Sequence, residues 1–257
     1  MKISNHLSRR QAVRKHGRIS CALAVGALFA VQHVALSEEA KQPAAPTSEL
    51  KCVVGYGDSI TKGYALPPGT GWVELLSKTL KTKDGQVIPV FNAGGNGNTS
   101  REGLRRISND VLSHMPGTVF VEFGGNDGVH DEKRNVGIEE FERNLITIDE
   151  KITSKGGAVV FVTFPPIVDE WHAASKDPYV KERGGVDKYV EQYREKTREI
   201  AKRLGRPLFD LDKLLRDAIK EKGQEKIINK DGVHLTPESS KIVADAIQKF
   251  LSGCSER

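Results

Sequence analysis

From Leu50 onward, short apolar runs alternate with amphipathic stretches, and this alternation restricts the fold more than any other feature of the chain. The candidate strands are Cys52–Tyr56, Val87–Phe91, Thr118–Phe123, Ala158–Thr163 and Pro207–Phe209. Between and after them lie helical stretches, roughly Trp72–Lys81, Ser100–Leu112, Ile138–Ser154, Asp187–Leu204 and Lys213–Lys222. A last helix follows Thr236 as its cap, with Pro237 at the first helical position. Its Ile242, Val243, Ala246, Ile247, Phe250 and Leu251 recur at helical spacing and read as core. Near-continuous apolar strands joined by helices predict a parallel sheet covered on both faces. The expectation is an α/β fold, a single three-layer domain over residues 50–257 built on a five-stranded parallel sheet. In such sheets the chemistry gathers at the carboxyl ends of the strands.

Charge separates this body from what precedes it. The chain of 257 residues carries a formal net charge of +5, but residues 1–37 hold Lys2, Arg9, Arg10, Arg14, Lys15 and Arg18 and no acidic residue. Without them, 33 basic residues face 34 acidic ones, a net charge of −1. The body therefore lacks the electrostatic footprint of a nucleic-acid or anionic-membrane binder. Residues 1–37 read as a signal peptide: a basic start, an apolar run from about Ile19 to Val31, then the small-x-small pattern Ala35-Leu36-Ser37. That run is too short to span a bilayer, which takes about 20 apolar residues. Ser8-Arg9-Arg10-Gln11-Ala12-Val13 resembles a twin-arginine export signal. Residues 38–49 form a polar, Pro/Ala-rich flexible lead-in. An exported protein with no stable membrane insertion of the mature chain is expected, in a compartment that permits a disulfide between Cys52 and Cys254.

Four polar, mostly Gly-rich segments follow the strand ends or lead into the last helix: Gly57–Thr61, Gly94–Ser100, Gly124–Asp127 and Asp231–Thr236. Ser59 lies directly after the first strand. A nucleophilic serine needs a base within hydrogen-bond reach and a carboxylate to orient that base. In Asp231-Gly232-Val233-His234 the carboxylate stands three residues before an imidazole, so Asp231 could hold one ring nitrogen while the other faces Ser59. A developing oxyanion needs fixed donors. The backbone of Gly97 and the side-chain amide of Asn126 offer two kinds. Each loop alone is an ordinary turn; the four in order carry every residue type that acyl transfer requires.

These blocks, GDSIT, Gly97-Asn98-Thr99, GGND and DGVH, resemble the SGNH (GDSL-type) hydrolase family, and the flanking text is most similar to its bacterial arylesterase, thioesterase and lysophospholipase branch. The resemblance implies a flavodoxin-like α/β/α sandwich and a carboxylic ester hydrolase that works through an acyl-enzyme, with no metal and no cofactor. It implies Ser59 as nucleophile, His234 as base and Asp231 as its partner. The oxyanion donors would be the backbone N–H groups of Ser59 and Gly97 and the side chain of Asn126. Asn98 departs from the Asp common after the oxyanion glycine.

Residues 164–186 form a long polar-aromatic connection containing Trp171, His172 and Tyr179. Long loops over strand ends often act as binding walls, so Trp171 and Tyr179 are candidate substrate-binding residues. The expected partner is a small ester or an acylated carbohydrate or lipid, with short acyl groups first. Polysaccharide O-acetylesterase, lysophospholipase or thioesterase, and acyltransferase activities are the alternatives, and a non-catalytic binding module is the rival from another class. A dinucleotide site is excluded because Ile60 stands at the third glycine position after Gly55 and Gly57, and no acidic residue follows at the ribose distance.

Overall fold

The computed structural model describes residues 50–253 apart from His130, Glu132 and Lys133. The expected signal peptide, the lead-in and Cys254 lie outside the described residues. Five strands, β1 (Val53–Gly57), β2 (Val90–Gly94), β3 (Thr118–Glu122), β4 (Ala158–Val162) and β5 (Leu208–Phe209), form one sheet in the order β2-β1-β3-β4-β5. Every pairing is parallel. This is the flavodoxin-like order, whose switch point lies between β1 and β3.

The helices are α1 (Ser59–Lys62), α2 (Trp72–Thr79), α3 (Ser100–Asp110), α4 (Ile138–Thr153), α5 (Pro178–Lys181), α6 (Val186–Leu204), α7 (Leu211–Lys222), α8 (Gln224–Ile227) and α9 (Pro237–Ser252). Successive strand side chains point to opposite faces, and the two faces build separate cores. Val53, Phe120, Val160 and Val162 pack with Trp72, Leu76, Leu215, Val243 and Ile247, so α2, α7 and α9 cover one face. Val54, Tyr56, Val119, Val121, Val159 and Phe161 pack with Ile107, Phe141, Leu145, Ile148, Tyr193 and Ile200, so α3, α4 and α6 cover the other.

Two element starts differ from the pattern-based expectation by two residues or more. β2 begins at Val90 rather than Val87. Val87 instead forms an antiparallel bridge with Lys81 and is 65% exposed. Pro89 has no N–H to give a ladder; its carbonyl accepts from Val53 N–H at 2.9 Å, and regular pairing starts at the next residue. As an edge strand, β2 then tolerates the exposed Asn92. α7 begins at Leu211 because Asp210 caps it, its carboxylate accepting from Lys213 N–H at 3.0 Å. The expected Thr236 cap and Pro237 start of α9 are present.

The connection after β4 is more ordered than its composition suggests. It contains a short 3₁₀ turn, Ala173–Lys176, followed by α5. Asp169 Oδ1 accepts from Val186 N–H at 2.6 Å, and Asp187 Oδ1 accepts from Ile167 N–H at 2.9 Å. The two ends of the excursion are thereby tied to each other. Cys52 is buried, its thiol directed at the His114 carbonyl at 3.2 Å. Among the described residues no helix is long and apolar enough to cross a membrane.

Candidate active site

The parallel order brings the carboxyl ends of β2, β1 and β3 side by side, and with them the three loops picked out by composition. Ser59 is the first residue of α1, directly beyond β1. Asp58 caps this single turn, Oδ1 accepting from Ile60 N–H at 2.8 Å, so Ser59 N–H points out of the first turn, where no intrahelical acceptor exists. Ser59 Oγ lies 2.9 Å from His234 Nε2, and His234 Nδ1 lies 2.7 Å from Asp231 Oδ2. The three side chains come from opposite ends of the sequence and form one hydrogen-bonded line.

The Asp231–His234 turn owes its shape to local bonds. Asp231 Oδ1 accepts from Val233 N–H and His234 N–H, each at 3.0 Å. Burial raises the Asp231 pKa, but these two N–H groups and the His234 ring outweigh it and hold the carboxyl below the usual carboxylate range. Gly232 sits at φ 83°, and a Cβ there would lie 2.6 Å from the Val168 carbonyl and 2.7 Å from His172 N. Glycine is required twice over, for the left-handed backbone and for the approach of the 164–186 connection. Val168 N–H donates to the Gly232 carbonyl at 2.8 Å and locks the two segments together. The Tyr64 ring packs on His234 with centroids 4.6 Å apart.

Asn126 directs Nδ2 at Asp58 Oδ2 at 2.9 Å, which occupies one of its two N–H donors. Gly97 sits at φ 68° in a turn closed by Asn98 N–H donating to the Gly95 carbonyl at 3.1 Å. Arg106 fixes that loop. Its guanidinium donates to the carbonyls of Gly57 and Ala93 and to Asn98 Oδ1, each at 2.7 Å. Asn98, the departure from the family pattern, is thus an acceptor for Arg106.

A cavity of about 330 Å³ opens at Ser59 and His234. Asn126 and Gly125 form one side, and Phe164, Ile167, Val180, Val186 and Val190 give it an apolar wall. Neither Trp171 nor Tyr179 lines it. Lys230 Nζ lies 4.2 Å from the centre of the Trp171 ring, and the Arg183 guanidinium lies 3.4 Å from that of Tyr179. Gly97 is likewise outside the cavity lining. His172 does line it. Its Nδ1 accepts from Ala174 N–H at 3.2 Å, which leaves the neutral ring's proton on Nε2. Burial pushes its pKa down, against the pull of Asp169 and Asp231. The sequence reading missed the apolar wall, because its members are divided between the connection and the first turns of α6. Among the described residues no cluster of His, Cys, Asp and Glu is arranged to hold a metal.

The sequence and the fold both have relatives. The GDSL-like Lipase/Acylhydrolase family matches residues 56–242. The Uncharacterized lipoprotein YqeF of Bacillus subtilis (strain 168) is 30% identical over 220 residues, covering 76% of this chain and 87% of that protein. Esterase TesA of Pseudomonas aeruginosa is 34% identical over 112 residues, covering 43% of this chain and 53% of that protein. Among solved structures, the lipase/acylhydrolase from Enterococcus faecalis superposes with a TM-score of 0.63 at 25% identity, over 79% of this chain and 96% of that one.

Proposed function

This chain belongs to the GDSL-like lipase/acylhydrolase family, and from that premise we propose that it is an exported serine esterase that hydrolyses carboxylic esters of short acyl groups through an acyl-enzyme. The observation that carries this reading is the line Ser59 Oγ–His234–Asp231, with its 2.9 and 2.7 Å spacings, at the mouth of an apolar cavity. Ser59 Oγ attacks the ester carbonyl carbon as its proton passes to His234 Nε2. Asp231 accepts from His234 Nδ1–H, which fixes the tautomer and favours the imidazolium as it forms. The carbonyl oxygen becomes an alkoxide facing the N–H groups of Ser59 and Gly97 and the second N–H of Asn126. Collapse of this intermediate expels the alcohol, which takes the proton from His234 Nε2–H. Water then repeats the sequence on the acyl-serine and releases the acid.

A cavity of 330 Å³ is at the small end of the roughly 300–1,000 Å³ typical of small-molecule sites. Its apolar wall suits a short acyl chain better than a long one. A panel of p-nitrophenyl esters from acetate to palmitate tests this directly: turnover should be greatest among the short esters and fall away before palmitate. A maximum at palmitate would contradict the short-acyl assignment and favour a lipid or thioester substrate.

Asn126→Ala should lower kcat by about 10²–10³-fold with KM little changed, the signature of a donor used mainly in the transition state. A change confined to KM would make Asn126 a ground-state binding residue instead. Export rests on the basic-then-apolar leader of residues 1–37 and on the lipoprotein name of the Bacillus relative.

A further inference from the structure

The leaving oxygen of the ester takes its proton from His234 Nε2, so the alcohol it belongs to lies within hydrogen-bond reach of that nitrogen. The other three groups on the tetrahedral carbon are Ser59 Oγ, the alkoxide and the acyl chain. With the acyl chain in the apolar cavity, tetrahedral geometry directs the alcohol out of the cavity and past the imidazole. Tyr64 is the aromatic side chain against that imidazole. Its ring centroid lies 4.6 Å from that of His234, the planes inclined at 49°, and it is not part of the cavity lining.

The ring is also open to solvent. Tyr64 is 50% exposed, whereas the His234 side chain beneath it is only 15% exposed. Among the described residues Val87 is the other exposed large apolar side chain, and it precedes the amino end of β2, at the opposite end of the sheet from Ser59. The turn that presents Tyr64 is the turn that presents the nucleophile: Gly63 N–H and Tyr64 N–H both donate to the Ser59 carbonyl, at 3.1 and 3.0 Å. Left-handed residues flank the ring, Gly63 at φ 81° and Ala65 at φ 62°. Among the described residues Ala65 is the one non-glycine residue in that region, a conformation unfavourable for a side chain with a Cβ.

The segment that follows is pinned to α2. The Glu74 carboxylate accepts from Gly69 N–H at 3.1 Å and Gly71 N–H at 3.2 Å, and Lys78 Nζ donates to the Gly69 carbonyl at 2.7 Å. Thr70 Oγ1 donates to the Pro67 carbonyl at 2.7 Å. An aromatic ring held on such a loop loses little freedom when a ligand covers it.

We infer that Tyr64 is the platform for the alcohol half of the ester and selects alcohols that carry a ring with a flat apolar face. An aryl ring and the C–H face of a pyranose share that chemistry. The inference deepens the proposed esterase function and rests on it. A ring one or two bonds from the leaving oxygen comes within stacking distance of Tyr64, in the 4.5–7 Å range of ring-on-ring contacts. A methyl or ethyl alcohol is too short to cover the same surface.

An isomer pair isolates this contact: benzyl acetate has its ring on the alcohol, and methyl phenylacetate has the same atoms with the ring on the acyl side. Tyr64→Ala should lower kcat/KM for benzyl acetate about tenfold more than for methyl phenylacetate or for ethyl acetate. Tyr64→Phe keeps the flat face and should hold the benzyl preference within about twofold of wild type. Tyr64→Leu keeps apolar cover on His234 without a flat face and should lose the preference as Tyr64→Ala does. An acetylated methyl glucopyranoside, assayed beside them, identifies the source of the ring. A matching loss there extends the platform to carbohydrate esters, and a loss on benzyl acetate alone assigns it to aryl alcohols.

A residue that acted only through His234 would slow every ester by the same factor, and that result in Tyr64→Ala would overturn the platform. A loss greater on methyl phenylacetate than on benzyl acetate would place Tyr64 on the acyl side and overturn it as well. So would a benzyl preference that survives in Tyr64→Leu. Turnover that persists in Ser59→Ala would remove the reading of the nucleophile and the platform with it, whereas the other contrary results arise in an enzyme that still depends on Ser59.

Discussion

Replacing Ser59 by alanine should lower esterase turnover by on the order of 10⁴-fold or more while leaving the fold and its thermal stability essentially unchanged. Ser59 Oγ is half-buried at the cavity mouth, and among the described residues its hydrogen-bond partner is His234 Nε2, so its removal takes away little packing. The turn beneath it is held by Asp58, not by Ser59. Circular dichroism and a thermal melt of the variant, beside p-nitrophenyl butyrate kinetics, separate a lost nucleophile from a lost fold. A variant retaining more than a few per cent of the wild-type kcat would mean that another group attacks the ester.

The largest effect on stability should come from Arg194. Its side chain is 0% exposed, and its guanidinium meets Asp187 at 2.7 Å, Glu191 at 2.8 Å and Asp212 at 3.4 Å. It also donates to the carbonyls of Phe164 and Pro165 at 3.0 and 2.8 Å. Arg194→Met keeps much of the volume but removes every one of these donors. Asp212, whose side chain is only 6% exposed, then loses part of its compensation, as do two buried carbonyls. Breaking a buried charge network from one side costs about 3–5 kcal/mol. For a domain of this size that corresponds to a fall in Tm on the order of 10 °C. Because Phe164 begins the cavity wall, KM for the esters should rise as well. Urea unfolding of the variant gives the number, and a loss below about 1 kcal/mol would show that Arg198 and Arg216, which share Asp212 and Asp187, carry the network without it.

The layers of the fold were readable because the strands are buried on both faces, which leaves runs such as Thr118–Phe123 and Ala158–Thr163 unmistakable against amphipathic helices. Boundaries set by one hydrogen bond were not. Pro89 moves the start of β2 by three residues, and the Asp210 cap moves that of α7 by two. The loops were legible because Ser, Gly, Asn and His in a fixed order carry chemistry in their residue types. Spacing alone would not have sufficed: Asp127-Gly128-Val129-His130 repeats the letters of Asp231–His234, yet Asp127 is buried and turned onto Ser100, whereas Asp231 reaches the imidazole.

The cavity wall was not legible, since Phe164, Val180 and Val190 look like any other core residues until the connection folds back over the sheet. Aromatic size suggested Trp171 and Tyr179 instead; neither lines the cavity, and each ring faces a cation.

The central claim is that Ser59 carries the acyl group between two half-reactions. Rapid acid quenching of the enzyme during turnover of a p-nitrophenyl ester, followed by peptide mass spectrometry, tests it most directly. The peptide containing Ser59 should gain the mass of the acyl group less one hydrogen, and the adduct should be absent from Ser59→Ala. Steady turnover with an unmodified Ser59 peptide at every quench time, or an acyl group found on a different residue, would contradict it.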